Sequence, residues 1–83
     1  MFYVYILKSN KDTHYTGFTN DLKRRLHQHN NGNNFSTKGQ SWELVYYEAY
    51  LNKHDAMNRE KKLKQDGRSK YHLFNRIKNC LKK

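Results

Sequence analysis

Hydrophobic positions along the chain alternate between short dense runs and sparser, helically spaced sets. Phe2-Tyr3-Val4-Tyr5-Ile6-Leu7 puts aromatic and β-branched residues on both alternating faces, so it reads as a central strand covered on both sides. Lys8 to Thr13 is polar and turn-forming, and His14-Tyr15-Thr16-Gly17-Phe18-Thr19 returns as a second strand, completing a hairpin. Thr19 or Asn20 is placed to cap the helix that follows, with Asp21 in its first turn, Leu22 and Leu26 on its buried stripe and its end near Asn30. Asn31 to Gln40 has no periodicity and many turn formers, so it is a loop. Trp42 to Tyr50 is dense in residues that suit a pleated surface and forms a third strand.

Asn52 then caps a second helix, with Asp55 in its third position and Ala56, Met57 and Leu63 as its apolar stripe. Gly67 is expected to close it. Ser69 or Lys70 opens a last helix that buries Leu73, Phe74, Ile77 and Leu81, with Cys80 at its edge. The order β-β-α-β-α-α predicts an α/β (α+β) fold, a three-stranded, mainly antiparallel sheet flanked by three helices.

Length and charge narrow the function. With 83 residues the expected organisation is one domain over 1–83, and 17 Lys plus Arg against 7 Asp plus Glu give a net charge of +10. So much positive charge on a small body favours a polyanionic partner, with nucleic acid the default. A membrane surface fits less well, because the cations are spread over several elements instead of lining one amphipathic helix. A single cysteine, Cys80, excludes an internal disulfide framework and a four-thiolate zinc site. The longest apolar run is far short of the ~18 residues that span a bilayer, so the expected setting is soluble, reducing and cytoplasmic. Gly-rich phosphate loops, serine-nucleophile motifs and paired cysteines are absent, which removes nucleoside triphosphatases and zinc ribbons.

Chemistry is sought where polar groups fall on positions expected to be buried. Glu60 lies three residues after Met57 and three before Leu63, on the stripe that faces the sheet. An inward carboxylate needs a cation: either an ion pair with a residue such as Arg25 or Arg59, or a divalent metal, for which one carboxylate plus waters suits magnesium. Arg25 and His29, four apart beside the Leu22/Leu26 stripe, point at one spot. A guanidinium there can clamp a phosphate and an imidazole can move a proton, while a solvated helix flank is the plainer reading. His27 and His29 diverge on a helix and make a poor metal pair. Tyr5 and Tyr15 lie on paired strands, and Gly17, on the same face as Tyr15, opens space before the sheet.

Tyr3-Val4-Tyr5, Tyr15-Thr16-Gly17, Arg25 ten residues after Tyr15, and Glu60 in Ala56 to Lys64 together resemble the GIY-YIG nuclease domain, in particular its small single-domain branch. Tyr3 stands where the family name has Gly, and Thr16 where it has Ile. The resemblance implies metal-dependent hydrolysis of a phosphodiester strand. It implies that Glu60 holds a single Mg²⁺ (or Mn²⁺), that Arg25 stabilises charge on the phosphoryl group, and that Tyr15 activates the attacking water. Tyr5 would orient water or the phosphate, His29 would assist proton transfer, and either Asn75 or His72 would fill a further polar role near the last helix. The expected partner is nucleic acid, DNA first, in repair or recombination, with a partner protein supplying specificity. Lys23, Arg24, Lys38, Arg59 and Lys64 are the cations expected to contact it. The alternative is a basic nucleic-acid-binding module that keeps the fold without turnover.

Overall fold

The structure, a computed structural model, describes residues 1–31 and 39–82. The first apolar run forms β1 (Phe2–Ser9), the turn leads back through β2 (His14–Thr19), and after helix α1 (Leu22–Asn30) the strand β3 (Trp42–Tyr50) completes an antiparallel sheet of order β2-β1-β3. Helices α2 (Lys53–Gln65), α3 (Gly67–Arg76) and the one-turn α4 (Lys78–Leu81) follow. The expected α+β architecture is present, with β1 in the centre as its two apolar faces require: Val4, Tyr5, Ile6 and Leu7 are all buried.

Those faces seed two cores. Val4 and Ile6 pack with Ala56, Leu63, Leu73 and Ile77, so α2 and α3 cover one side of the sheet. Tyr5 and Leu7 pack with Trp42, Tyr15, Leu22, Leu26 and Leu44, so α1 covers the other. The third strand serves both because its register shifts between Ile6 and Leu7: Tyr46 opposes Ile6, whereas Leu44 opposes Leu7. The extra residue at this bulge changes which face the even positions take. Trp42 and Leu44 therefore join Tyr5, while Tyr46 and Tyr50 join Val4 and Ile6.

Helix boundaries differ in detail from the sequence expectation, and at two of them an aspartate is the cap. Asp21, not Thr19 or Asn20, caps α1, its carboxylate accepting from the Arg24 amide at 3.1 Å, while the Thr19 hydroxyl accepts from the Asp21 amide at 3.0 Å. Asn52 caps α2 as expected. Asp66 ends α2 and begins α3, accepting from the Arg68 amide and the Ser69 hydroxyl, so Gly67 opens α3 instead of closing α2. The last helix thus begins before Ser69, and it breaks at Ile77 into α3 and α4. Met57, expected in the buried stripe, is 43% exposed, because Ala56 and Leu63 alone supply the inward line of α2.

On the α2 side of β3 the sheet carries a half-buried carboxylate, Glu48, between Tyr46 and Tyr50. Arg59 of α2 donates to it through Nε at 2.9 Å and Nη2 at 3.0 Å, and both tyrosine hydroxyls donate as well. Burial pushes the Glu48 carboxyl up, but hydrogen bonds from Arg59, Tyr50 and Tyr46 outweigh it and hold the group below the usual carboxylate range. A two-pronged guanidinium bond of this kind fixes α2 in both position and rotation against the sheet. Arg59→Met should lower stability by about 2–4 kcal/mol, because it strands a desolvated carboxylate. Urea denaturation checks this, and adding Glu48→Leu to the same chain should recover part of the loss.

Candidate active site

The site is organised by a phenol on the central strand. Tyr5 is 2% exposed, and its partner across the β1–β2 ladder is Gly17. A side chain at Gly17 would collide with Tyr5 Cζ and its hydroxyl and would come within 2.9 Å of Tyr15 Cε2. Absence of a Cβ is what allows the Tyr5 ring to lie across β2 beside Tyr15, which shares its face.

Helix α1 meets the Tyr5 hydroxyl with two groups one turn apart. Arg25 Nε donates to it at 3.3 Å, and His29 Nε2 lies 2.9 Å from it. A guanidinium has only donors, so the phenol oxygen accepts from Arg25, and the same hydroxyl shares a second hydrogen bond with His29. Gln28 Oε1 accepts from Arg25 Nη1 at 3.1 Å and holds the far side of the guanidinium. Tyr5 thus links Arg25 and His29 in one chain of hydrogen bonds. The helix carrying it is anchored at its end by Asn30, whose side chain accepts from the Trp42 amide at 2.6 Å and donates to the Trp42 carbonyl at 3.0 Å.

Burial determines the protonation of these groups. The Tyr5 phenol is pushed up to about 12, chiefly by burial and against the opposing hydrogen bond from Arg25, with the Glu60 charge a smaller upward contribution. The completely buried His29 is pushed down to about 4, by burial first and by the Arg25 charge second. Arg25 is raised, mainly by its bond to Tyr5 and more weakly by the Tyr15 hydroxyl, with burial opposing. At neutral pH the site therefore holds a neutral phenol, a neutral imidazole and a charged guanidinium that borders both tyrosines.

The second phenol is less enclosed. The half-buried Tyr15 meets His29 edge-on with centroids 4.7 Å apart, tilts against Tyr5 at 6.3 Å, and leans on Trp42 at 6.2 Å. From α2, Lys64 Nζ lies over the Tyr15 ring at 5.4 Å from its centroid and 3.1 Å from Glu60 Oε2. The Glu60 side chain is 24% exposed. It is thus the inward-leaning carboxylate that the spacing predicts, but its ion-pair partner is Lys64. It does not pair with Arg59, which is engaged by Glu48, or with Arg25, which is turned to Tyr5 and Gln28.

Tyr5, Tyr15, Arg25, His29, Glu60 and Lys64 are thus assembled in one place from β1, β2, α1 and α2. Arg24 lines an adjoining cleft of about 280 Å³ with Arg25, Gln28 and Lys53. Lys23 is exposed on α1, and Lys38 lies outside the described residues. Asn75 and His72 both line a different cleft, with Arg59 and Arg76, on the α2–α3 side. Two contributors escape the sequence reading. Gln28 carries no signal beyond being one turn from Arg24, whereas Glu48, an acid alternating with Tyr46 and Tyr50, is legible in hindsight as an inward polar position.

The donor set suits a hard divalent ion. Among the described residues no three of His, Cys, Asp and Glu converge, so the oxygen ligand available is the Glu60 carboxylate, already leaning toward a cation, with room for water on its exposed side. One carboxylate supplemented by water and substrate oxygens is a magnesium-type environment. Also among the described residues, no helix is long and apolar enough to cross a membrane.

A family model for the GIY-YIG catalytic domain matches residues 1–72. A UPF0213 protein from Clostridium perfringens is 45% identical over 67 residues, covering 78% of this chain and 72% of its own. Another, from Oceanobacillus iheyensis, is 40% identical over 65 residues, covering 76% of each. The solution NMR structure of a UPF0213 protein from Bacillus halodurans superposes with a TM-score of 0.57 at 33% identity, over 90% of this chain and 84% of that one.

Gly17→Ala should destabilise the protein by about 1–3 kcal/mol and break the contact between Tyr5 and Arg25. Urea denaturation and the NMR signals of the Tyr5 ring would report both effects. The lowered His29 makes a second prediction. Because the native imidazole resists protonation while the unfolded one titrates at 6.5, this stability is complete above that pH and is lost as pH falls toward about 4. The loss amounts to roughly 3 kcal/mol, and His29→Gln should flatten that limb of a stability–pH curve.

Proposed function

This chain belongs to the GIY-YIG family, and on that premise we propose that it is a metal-dependent endonuclease hydrolysing a phosphodiester bond in nucleic acid. DNA is the expected substrate, and repair or recombination in the cytoplasm the expected setting. The observation that carries this reading is the convergence of Tyr5, Tyr15, Arg25 and Glu60 from four separate elements around one chain of hydrogen bonds.

Glu60 would hold the divalent ion, Mg²⁺ or Mn²⁺. When bound there, the ion supplies positive charge to the phosphate and to the departing oxygen. Arg25 binds a phosphate oxygen, and because Tyr5 and Gln28 already orient its guanidinium, little reorganisation accompanies binding. Tyr15 holds the attacking water and, as the phenolate, takes its proton as the new oxygen–phosphorus bond forms and the ester bond to the departing oxygen breaks, that oxygen taking its proton from solvent. Arg25 presents positive charge to that tyrosine. Tyr5 remains a phenol throughout, a positioning residue that aligns Arg25. His29, neutral at physiological pH, shares a hydrogen bond with the Tyr5 hydroxyl and keeps that phenol in its rotamer. Arg24 and Lys53 flank the cleft next to Arg25, where the continuing backbone of the substrate would run, and a protein partner would supply site selection.

The test is cleavage of labelled linear, plasmid and branched DNA and of RNA, with Mg²⁺ or with EDTA. Glu60→Gln should abolish metal-dependent products while leaving the melting temperature within a few degrees of wild type. Arg25→Ala and Tyr15→Phe should each reduce the rate by about 10²-fold or more, and Tyr5→Phe by less. Wild type and Glu60→Gln equally silent, yet both binding nucleic acid with a steep salt dependence, would replace this reading with that of a binding module.

A further inference from the structure

Lys64 follows Glu60 by one turn of α2, an arrangement common on solvated helices and worth little there. Here it differs in two respects. The carboxylate it meets leans into the site with its side chain 24% exposed, and the same ammonium reaches another element, lying over the Tyr15 ring. Its charge therefore sits between the carboxylate and the phenol, where a metal ligated by Glu60 would place its own.

We propose that Lys64 is the resident counter-ion of the Glu60 site, displaced when a divalent cation arrives and then free to contact a phosphate oxygen of the nucleic acid. The proposal rests on Glu60 being the metal ligand. The physical basis is charge and reach: a carboxylate favours a divalent over a monovalent cation at equal distance, and the flexible four-carbon stem of lysine lets the ammonium swing aside without moving α2. The metal-free site thereby avoids an uncompensated carboxylate. Displacement also couples two binding events, because an ammonium released from Glu60 strengthens phosphate binding, and a phosphate that captures it leaves Glu60 open to the ion.

Metal binding can be read without turnover. Mn²⁺ binding to the full chain, followed by water-proton relaxation, should tighten about two- to fivefold in Lys64→Met, which keeps the stem and removes the charge. Lys64→Arg should return toward the wild-type value. In a Mg²⁺ titration followed by NMR, the Lys64 ε-methylene and Tyr15 ring signals of the wild type should move together, with one midpoint. Glu60→Gln should remove this binding in either background. If Glu60→Gln abolishes binding but Lys64→Met binds no more tightly than wild type, the counter-ion role is wrong and Glu60 remains the ligand. If binding persists in Glu60→Gln, both assignments fall.

Discussion

A hydroxyl buried in the middle of a sheet must be hydrogen-bonded, and in this protein that requirement falls on Tyr5. The residue is 2% exposed, and the two groups that bond its hydroxyl come from a single helix. That places α1 at one height and one rotation over the sheet. The glycine across the ladder, the asparagine that ties the end of α1 to β3, and the glutamine behind the guanidinium all maintain that placement. The same burial that makes the phenol dependent on its partners keeps it and His29 neutral, leaving Arg25 as the lone fixed charge in the chain of bonds.

The opposite face contributes through rotation instead of contact. Arg59 and Glu60 are neighbours on α2, and successive residues of a helix point about 100° apart. Locking Arg59 onto Glu48 turns the helix so that Glu60 leans around toward Tyr15 and Tyr5. A carboxylate on β3 that belongs to the far core thus helps to aim one at the site. Few structural resources are needed for this: one ion pair, capped helix ends and two small cores are enough to hold four elements in register.

Much of this was legible in the residues themselves. Apolar side chains on both faces of Phe2 to Leu7 could belong only to a covered strand, and the four-residue step from Arg25 to His29 put two polar groups on one spot whatever lay beneath them. What could not be read is what depends on three-dimensional competition. Asp66 serves two helices because its carboxylate accepts at the start of α3 where its own amide closes α2, and Met57 faces outward because Ala56 and Leu63 supply the inward line of α2. Glu60 could have paired with either of two arginines by sequence, and both were taken by partners far away along the chain, which left it to the lysine one turn on.

The bulge in β3 means that the strand is read in two frames. Before it, even-numbered residues belong to the layer of the phenols, and after it, even-numbered residues belong to the layer beneath the long helices. Were the nine residues paired without the bulge, Trp42, Leu44, Tyr46 and Tyr50 would all fall on one face, and the other interior would lose those side chains. For this architecture the point at which the frame changes is therefore as much a part of the chemical message as the residues on either side of it.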